Sequence, residues 1–255
     1  MNVTWIGHST VLLEDGGTRL LTDPLLRPRF AHVVRVAGPP PEITEELDAV
    51  LISHVHSDHL DVRSLRRLEP CRLVVPRGAG RLLGLRGFED VTELAAGEEL
   101  TFGALTVRAT HADHRASLGP LAPAASLGYV VSSESRLYFA GDTDLFPGMA
   151  DIDPDLDAAL LPISGWGPRV GKGHLDPDRA AKALRLLKPR LAIPIHWGTY
   201  RRVGLPRDEA ALREPVDRFV RLASELAPQV DVRVLSPGER ISVERAGPKV
   251  SGGVD

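Results

Sequence analysis

Apolar residues in this chain come in short runs and short alternations, mostly too brief for helices and of the right length for strands. The first stretch reads strand, turn, strand: Val3–Ile6, Val11–Glu14, a turn at Asp15-Gly16-Gly17, then Arg19–Thr22. Residues 24–46 lose the pattern and contain Pro39-Pro40-Pro41. A stretch this long without periodicity is expected to be functional or mobile, here a lip over a site. The run Ala49–Ser53 then reads as a buried strand. Val62–Leu68 and Gly80–Leu85 read as short helices with a strand, Arg72–Val75, between them. Further strands are expected at Val91–Leu94, Glu98–Phe102 and Leu105–Ala109, then, beyond a loop at 112–124, at Ser126–Val131, Arg136–Ala140 and Asp157–Pro162.

The period changes at Asp176-Pro177-Asp178, which supplies an N-cap, a proline at the first helical position and an acid in the first turn. Ala180, Ala183, Leu184 and Leu187 follow at helical spacing. Leu191–Ile195 is a strand. Pro215 is expected to open the last long helix, with Val216, Phe219 and Val220 on its apolar face. Val232–Leu235 and Arg240–Val243 close the pattern. Residues 1–245 are expected to form one domain and 246–255 a disordered tail. Strands in two groups, interleaved with helices, indicate two stacked sheets flanked by helices.

Composition narrows the chemistry. A chain of 255 residues, 43% apolar, can bury one large core. Its single cysteine, Cys71, excludes an internal disulfide and a zinc site built from four thiolates, so any metal must rely mainly on nitrogen and oxygen ligands. A net charge of −3 with scattered arginines gives no field that would gather nucleic acid. No basic-then-apolar leader opens the chain, and no apolar run reaches the roughly 18 residues of a membrane span. A cytoplasmic protein without nucleic-acid or membrane partners is expected, and homo-oligomerisation is left open.

The most informative segment is His54-Val55-His56-Ser57-Asp58-His59. Neither a helix face nor a strand face would gather three imidazoles and a carboxylate at this spacing, but a turn leaving a strand can wrap them around metal ions. A two-cation hydrolytic site needs further ligands and a bridging group. Other expected strand ends offer them: His111 after Leu105–Ala109, Asp142 in Ala140-Gly-Asp-Thr143, and His196 in Ile193-Pro-Ile-His-Trp-Gly198.

The histidine motif resembles the metal-binding signature of the metallo-β-lactamase superfamily. Within it, the chain is most similar to hydrolases of the ascorbate-6-phosphate lactonase and N-acyl-phosphatidylethanolamine phospholipase D type. Trp5-Ile-Gly-His-Ser9, Leu21-Thr-Asp-Pro24, Ile52–Asp61, Phe139-Ala-Gly-Asp-Thr143, His174-Leu-Asp-Pro177 and Pro194-Ile-His-Trp-Gly-Thr199 carry the similarity. The resemblance implies a four-layer αββα sandwich with the site at one edge, between the sheets. It implies that His54, His56 and His111 hold one divalent ion, that Asp58, His59 and His196 hold a second, and that Asp142 bridges them. Ser57 departs from the pattern, since many relatives carry an aromatic there. Nothing matches the N-terminal and lipid-contacting segments of the animal phospholipase, which points away from a membrane-lipid substrate.

The implied chemistry is hydrolysis of an ester, lactone or phosphodiester of a small, potentially anionic molecule by a hydroxide activated between two metal ions. Zinc is the default, with manganese or iron also compatible with imidazole and carboxylate ligands. Asp58 and Asp142 would orient the nucleophile. Asp23 is the candidate partner for the far nitrogen of a ligating histidine. His174 is the preferred proton donor to the leaving group, then His8, while His114 reads equally as an exposed residue. Arg115 could meet a substrate anion. Two alternatives remain: a phosphodiesterase or RNase of the same superfamily, which would want a basic groove, and a non-catalytic metal-binding sensor, which would want missing ligands.

Overall fold

The computed structural model describes residues 1–68, 71–117, 123–165, 170–205 and 207–245, so the expected tail at 246–255 and part of the 112–124 loop lie outside the described residues. The first sheet is built from β1 (Asn2–Gly7), β2 (Thr10–Asp15), β3 (Thr18–Thr22), β6 (Ala49–Leu51), β7 (Arg72–Pro76), β8 (Val91–Leu94) and, at its far edge, β19 (Arg240–Ser242). Its spatial order is β19-β1-β2-β3-β6-β7-β8. The second contains β9 (Glu99–Phe102), β10 (Leu105–His111), β13 (Leu127–Ser132), β14 (Arg136–Phe139), β15 (Ala158–Pro162), β16 (Leu191–Ile195) and β18 (Asp231–Val232), in the order β18-β16-β15-β14-β13-β10-β9.

Strand alternation explains how these sheets stack. In the second sheet Leu105, Val107 and Ala109, then Leu127, Tyr129 and Val131, then Leu137 and Phe139, all point to one face. They meet Val3, Trp5, Leu13, Leu20 and Leu51 of the first sheet in a core from which water is excluded. Opposite-parity residues Val130, Tyr138, Ala159, Leu161 and Ala192 face outward and pack under α3 (Pro177–Leu187) and α4 (Glu209–Leu226). The alanines on both sides of that layer, including Ala180 and Ala183, permit close approach. The outer face of the first sheet, with Leu21, Val50 and Leu73, is covered by α1 (Val62–Leu65) and α2 (Gly80–Gly84). Helix, sheet, sheet, helix is the expected αββα sandwich.

Two local expectations are corrected. Pro215 does not open the last helix: Asp208 caps it, accepting from the backbone N–H groups of Ala210 and Ala211, and Pro215 sits inside at a position where a proline removes one backbone hydrogen bond. Val216 and Phe219 are buried as expected, but Val220 is 37% exposed. The irregular stretch 24–46 is also not purely loop. It contains β4 (Arg29–Phe30) and β5 (Val33–Arg35), and β5 pairs with β17 (Tyr200–Arg202) from the other half of the chain, while β11 (Ala116–Ser117) and β12 (Pro123–Ala124) form a short antiparallel pair. No helix among the described residues is long and apolar enough to cross a membrane.

Candidate metal centre

Strand ends of both sheets converge at one edge of the sandwich. Beyond β6 the chain stays extended through Ile52 and Ser53, then turns, the turn being closed by bonds from His59 N and Leu60 N to the carbonyl of His56, at 3.0 and 2.8 Å. Asp23, at the end of β3, is fully buried and organises this turn. Its Oδ1 accepts from Ser53 N at 2.7 Å, and its Oδ2 accepts from Ser53 Oγ at 2.5 Å and from His59 Nδ1 at 2.7 Å. Because the Ser53 hydroxyl proton goes to Asp23, the 2.9 Å contact between Ser53 Oγ and His54 Nδ1 has the imidazole as donor. One carboxylate thereby fixes the ring orientation of two histidines.

The same reasoning assigns the other rings. His114 Nδ1 donates to Gly173 O at 2.7 Å, and His196 Nδ1 donates to Ser164 O at 2.7 Å. Each of these histidines therefore turns an Nε2 lone pair inward. His54 Nε2 and His114 Nε2 each lie 3.0 Å from His56 Nδ1. A proton on His56 Nδ1 can serve only one of two lone pairs, whereas a cation accepts all three nitrogens. His54, His56 and His114 form one metal-competent group, and His8, Asp58, His59 and His196 form a second.

Asp142 stands between the groups. Its Oδ2 is 3.3 Å from His59 Nε2, 3.9 Å from His54 Nε2 and 3.5 Å from His174 Nε2, and its Oδ1 is 3.5 Å from His196 Nε2. Asp58 Oδ2 lies 3.4 Å from His59 Nε2 and 3.7 Å from His196 Nε2, and it accepts from His8 Nε2 at 2.9 Å. His59 Nε2, His196 Nε2 and Asp142 Oδ1 are buried without a hydrogen-bond partner. Orphaned buried polar atoms are costly. Three of them aimed at a common centre, all of ligand type, fit divalent cations of the kind that imidazole and carboxylate hold.

Charge points the same way. Burial alone would push the Asp58 and Asp142 carboxyls up, but the surrounding histidines overcome it and hold both well below the usual carboxylate range. Burial would likewise lower His59; the carboxylates of Asp142, Asp58 and Asp23 outweigh it and hold the imidazole well above its ordinary value. Burial lowers His8 to about 4, with His196 adding to the effect, so His8 is a neutral donor to Asp58. The hydrogen bond to Asp142 raises His174, which stays only partly buried.

Backbone strain is concentrated here. His8, Asp23 and His196 all have positive φ, at 55°, 35° and 62°, in a region that non-glycine residues seldom occupy. Cross-links hold them: His196 N donates to His8 O at 2.9 Å, and His8 N donates to Thr199 Oγ1 at 2.8 Å. Gly141, with φ of 59°, lets β14 pass close to Ser53, where an added Cβ would stand 2.6 Å from Ser53 Cβ. That approach sets Asp142 beside His54.

Most of the expected residues meet at this centre: His54, His56, Asp58, His59, Asp142 and His196 face it, Asp23 supports it, and His8 and His174 border it. His111 does not. β10 runs two residues beyond its expected end, His111 stays in register with Leu127, and its exposed ring packs edge-on against Phe146. The backbone then clips to the next strand end, with Asp113 N donating to Thr143 Oγ1 and Asp144 N to Asp113 O, both at 2.9 Å, and this delivers His114 into the cluster. The pair His111-Ala-Asp-His114 offered two candidates, and only the exact strand end separates them. Arg115 is exposed and outside the cluster.

Comparison with known proteins places the chain. Residues 18–197 match the family described as the β-lactamase superfamily domain. The chain is 35% identical over 251 residues to a metal-dependent hydrolase of Opitutus terrae, covering 95% of this chain and 100% of that one. It is 33% identical over 230 residues to an N-acyl-phosphatidylethanolamine-hydrolyzing phospholipase D of Caenorhabditis elegans, covering 77% of this chain and 64% of that one. A solved metallo hydrolase of Ignicoccus hospitalis shares the fold, with a TM-score of 0.71 at 23% identity over 94% of this chain and 97% of that one. The chain belongs to the metallo-β-lactamase superfamily, as a metal-dependent hydrolase whose family implies a divalent cation.

Proposed function

We propose that this protein is a dinuclear hydrolase of small-molecule esters, lactones or phosphodiesters, working in the cytoplasm. The observation that carries the reading is the convergence of two ligand groups on Asp142 with three buried atoms left unpartnered. His54, His56 and His114 would hold one cation, and Asp58, His59 and His196 the other, with Asp142 shared. When bound, such a pair would supply Lewis acidity, acidifying water and neutralising charge that develops on the substrate. Zinc is the default for this donor set, with manganese or iron compatible.

The chain's own residues do the rest. Asp58, held by the His8 Nε2–H, and Asp142 accept hydrogen bonds from water and so orient it. His174 keeps its Nδ1–H within reach of the carbonyls of Lys172 and Gly171, at 3.2 and 3.3 Å, and points Nε2 at Asp142. A proton held at that Nε2 is placed for a leaving atom. Beside Ser164, whose carbonyl orients His196, opens a cavity of about 680 Å³ whose wall mixes apolar Ile163, Tyr200 and Leu212 with charged Asp178, Arg202 and Glu214. This volume suits a small organic substrate rather than a polymer. Similarity to the nematode phospholipase favours a phosphodiester among the candidate bonds.

Elemental analysis of the purified protein beside hydrolysis panels of phosphodiesters and lactones tests the reading. Two equivalents of metal with turnover on either panel is the expected result. No metal after reconstitution, or two metals without turnover on either panel, overturns it.

A further inference from the structure

A second cavity, of about 470 Å³, lies on the flank of the metal-binding turn, between that turn and helices α1 and α2. Its walls carry Arg27, Arg63, Arg66 and Arg86 against a single carboxylate, Asp61. That carboxylate is already engaged: Oδ1 accepts from Arg27 Nη1 at 3.0 Å, and Oδ2 caps α1 through Ser64 N and Ser64 Oγ at 3.0 and 2.7 Å. Arg63, Arg66 and Arg86 have no ion pair with any described residue. Arg66 is held in place by its bond from Nη2 to Arg86 O at 3.1 Å. Among the described residues, three of the four guanidiniums at this cavity therefore stand without a carboxylate partner.

The floor is apolar, with Leu60 and Leu82 among the lining residues. Guanidinium groups match the oxygens of a phosphate in planar, two-pronged geometry, and several of them around one cavity suit a dianion better than a lone carboxylate. We propose that this cavity binds the phosphate group of an organic phosphate ester, whose alkyl portion rests on Leu60 and Leu82. Ser57, between the metal-competent His56 and Asp58, lines the same cavity, so an occupant would touch the metal-binding turn from its outer side. The site stands on residues separate from the metal-competent ones, and its failure would leave the hydrolase reading intact.

One phosphate chemistry has two sources here, a soluble ester or a lipid headgroup, and Leu85, 73% exposed at the end of α2, would suit the second. The experiment titrates n-butyl phosphate into the full-length protein by calorimetry at fixed salt, with metal loaded and with metal removed by chelation. Binding in both states, weakened about tenfold or more by Arg63→Gln with Arg66→Gln, is expected. Both side chains are exposed, and circular dichroism checks that the double variant folds. Equal binding by the double variant, or binding that vanishes with the metal, overturns the proposal and puts phosphate at the metal centre. In a parallel arm, the protein is sedimented with phosphatidic acid or phosphatidylcholine vesicles. Binding to anionic vesicles that n-butyl phosphate displaces identifies the lipid headgroup as a source for the same cavity. Vesicle binding that n-butyl phosphate does not displace, but Leu85→Ser abolishes, excludes the lipid headgroup as the occupant and leaves the soluble ester as the source.

Discussion

Replacing Asp23 with asparagine isolates the role of a group that contacts no substrate. Asp23 is wholly buried and accepts three hydrogen bonds, two from Ser53 and one from His59 Nδ1. Asparagine keeps the shape but must set an NH2 group at one of the two oxygen positions. At the Oδ2 position it faces His59 Nδ1 and favours the opposite tautomer, which places a proton on Nε2, the atom aimed at Asp58 and Asp142. At the Oδ1 position it opposes the Ser53 N–H. Either outcome removes at least one hydrogen bond to a charged acceptor, a loss of about 1.5–3 kcal/mol in stability. Metal affinity should fall about 10- to 100-fold, as is typical when the partner of a ligating histidine is removed, or about 1.4–2.8 kcal/mol. Competition against a chromophoric chelator reads the affinity, and denaturant unfolding of metal-free protein reads the stability. If Asp23→Asn binds metal as tightly as the parent while being less stable, Asp23 is a folding residue only and its proposed orienting role is wrong.

Three further outcomes are expected. His114→Ala should lower the metal bound per chain while His111→Ala leaves it unchanged, as elemental analysis would show; the reverse result would restore His111 as the ligand. Gly141→Ala, which forces an alanine to φ of 59° and a Cβ to within 2.6 Å of Ser53 and 2.9 Å of Leu127 O, should cost about 2–4 kcal/mol in denaturant unfolding. The Ser133 hydroxyl, 2.5 Å from Asp15 Oδ2, and then the N-terminal ammonium at 3.4 Å hold the Asp15 carboxyl below its ordinary value. A lowered folded-state value means stability present above the unfolded carboxylate's value of about 4 and lost as pH falls through the folded one. Ser133→Ala should therefore lower the melting temperature at pH 7 and approach the parent near pH 2.5; a constant gap would exclude this linkage.

Strands whose two faces meet different neighbours were legible from sequence because alternation or an unbroken apolar run marks them, as at Leu127–Ser132 and Ala158–Pro162. Long-range pairing left no such mark. The strand Val33–Arg35 is polar at one end and follows a turn, and it is held between its local partner Arg29–Phe30 and the distant Tyr200–Arg202. Pro215 misled because its ring suits a first helical turn, while the true first turn, Glu209–Leu212, is largely exposed and carries little apolar signal. In the site, the six-residue turn was readable because its spacing admits few other uses. Choosing between His111 and His114 required the backbone bonds of Asp113, which depend on a neighbouring strand end.

The centre draws on residues from His8 to His196, yet His54, His56, Asp58 and His59 lie within one turn. Under the proposed assignment, a chain emerging from synthesis would offer each cation half of its protein ligands long before the rest exist. The contacts that complete it include a hydrogen bond from His8 to Thr199, 191 positions apart, which forms only when both ends of the domain have come together. Affinity of the unfolded chain for metal subtracts from the stability that metal confers on the folded one. On the proposed ligand set, the compactness of that turn sets two opposing tendencies: early capture during biosynthesis, and a smaller gain in melting temperature on loading than the same ligands dispersed along the chain would give.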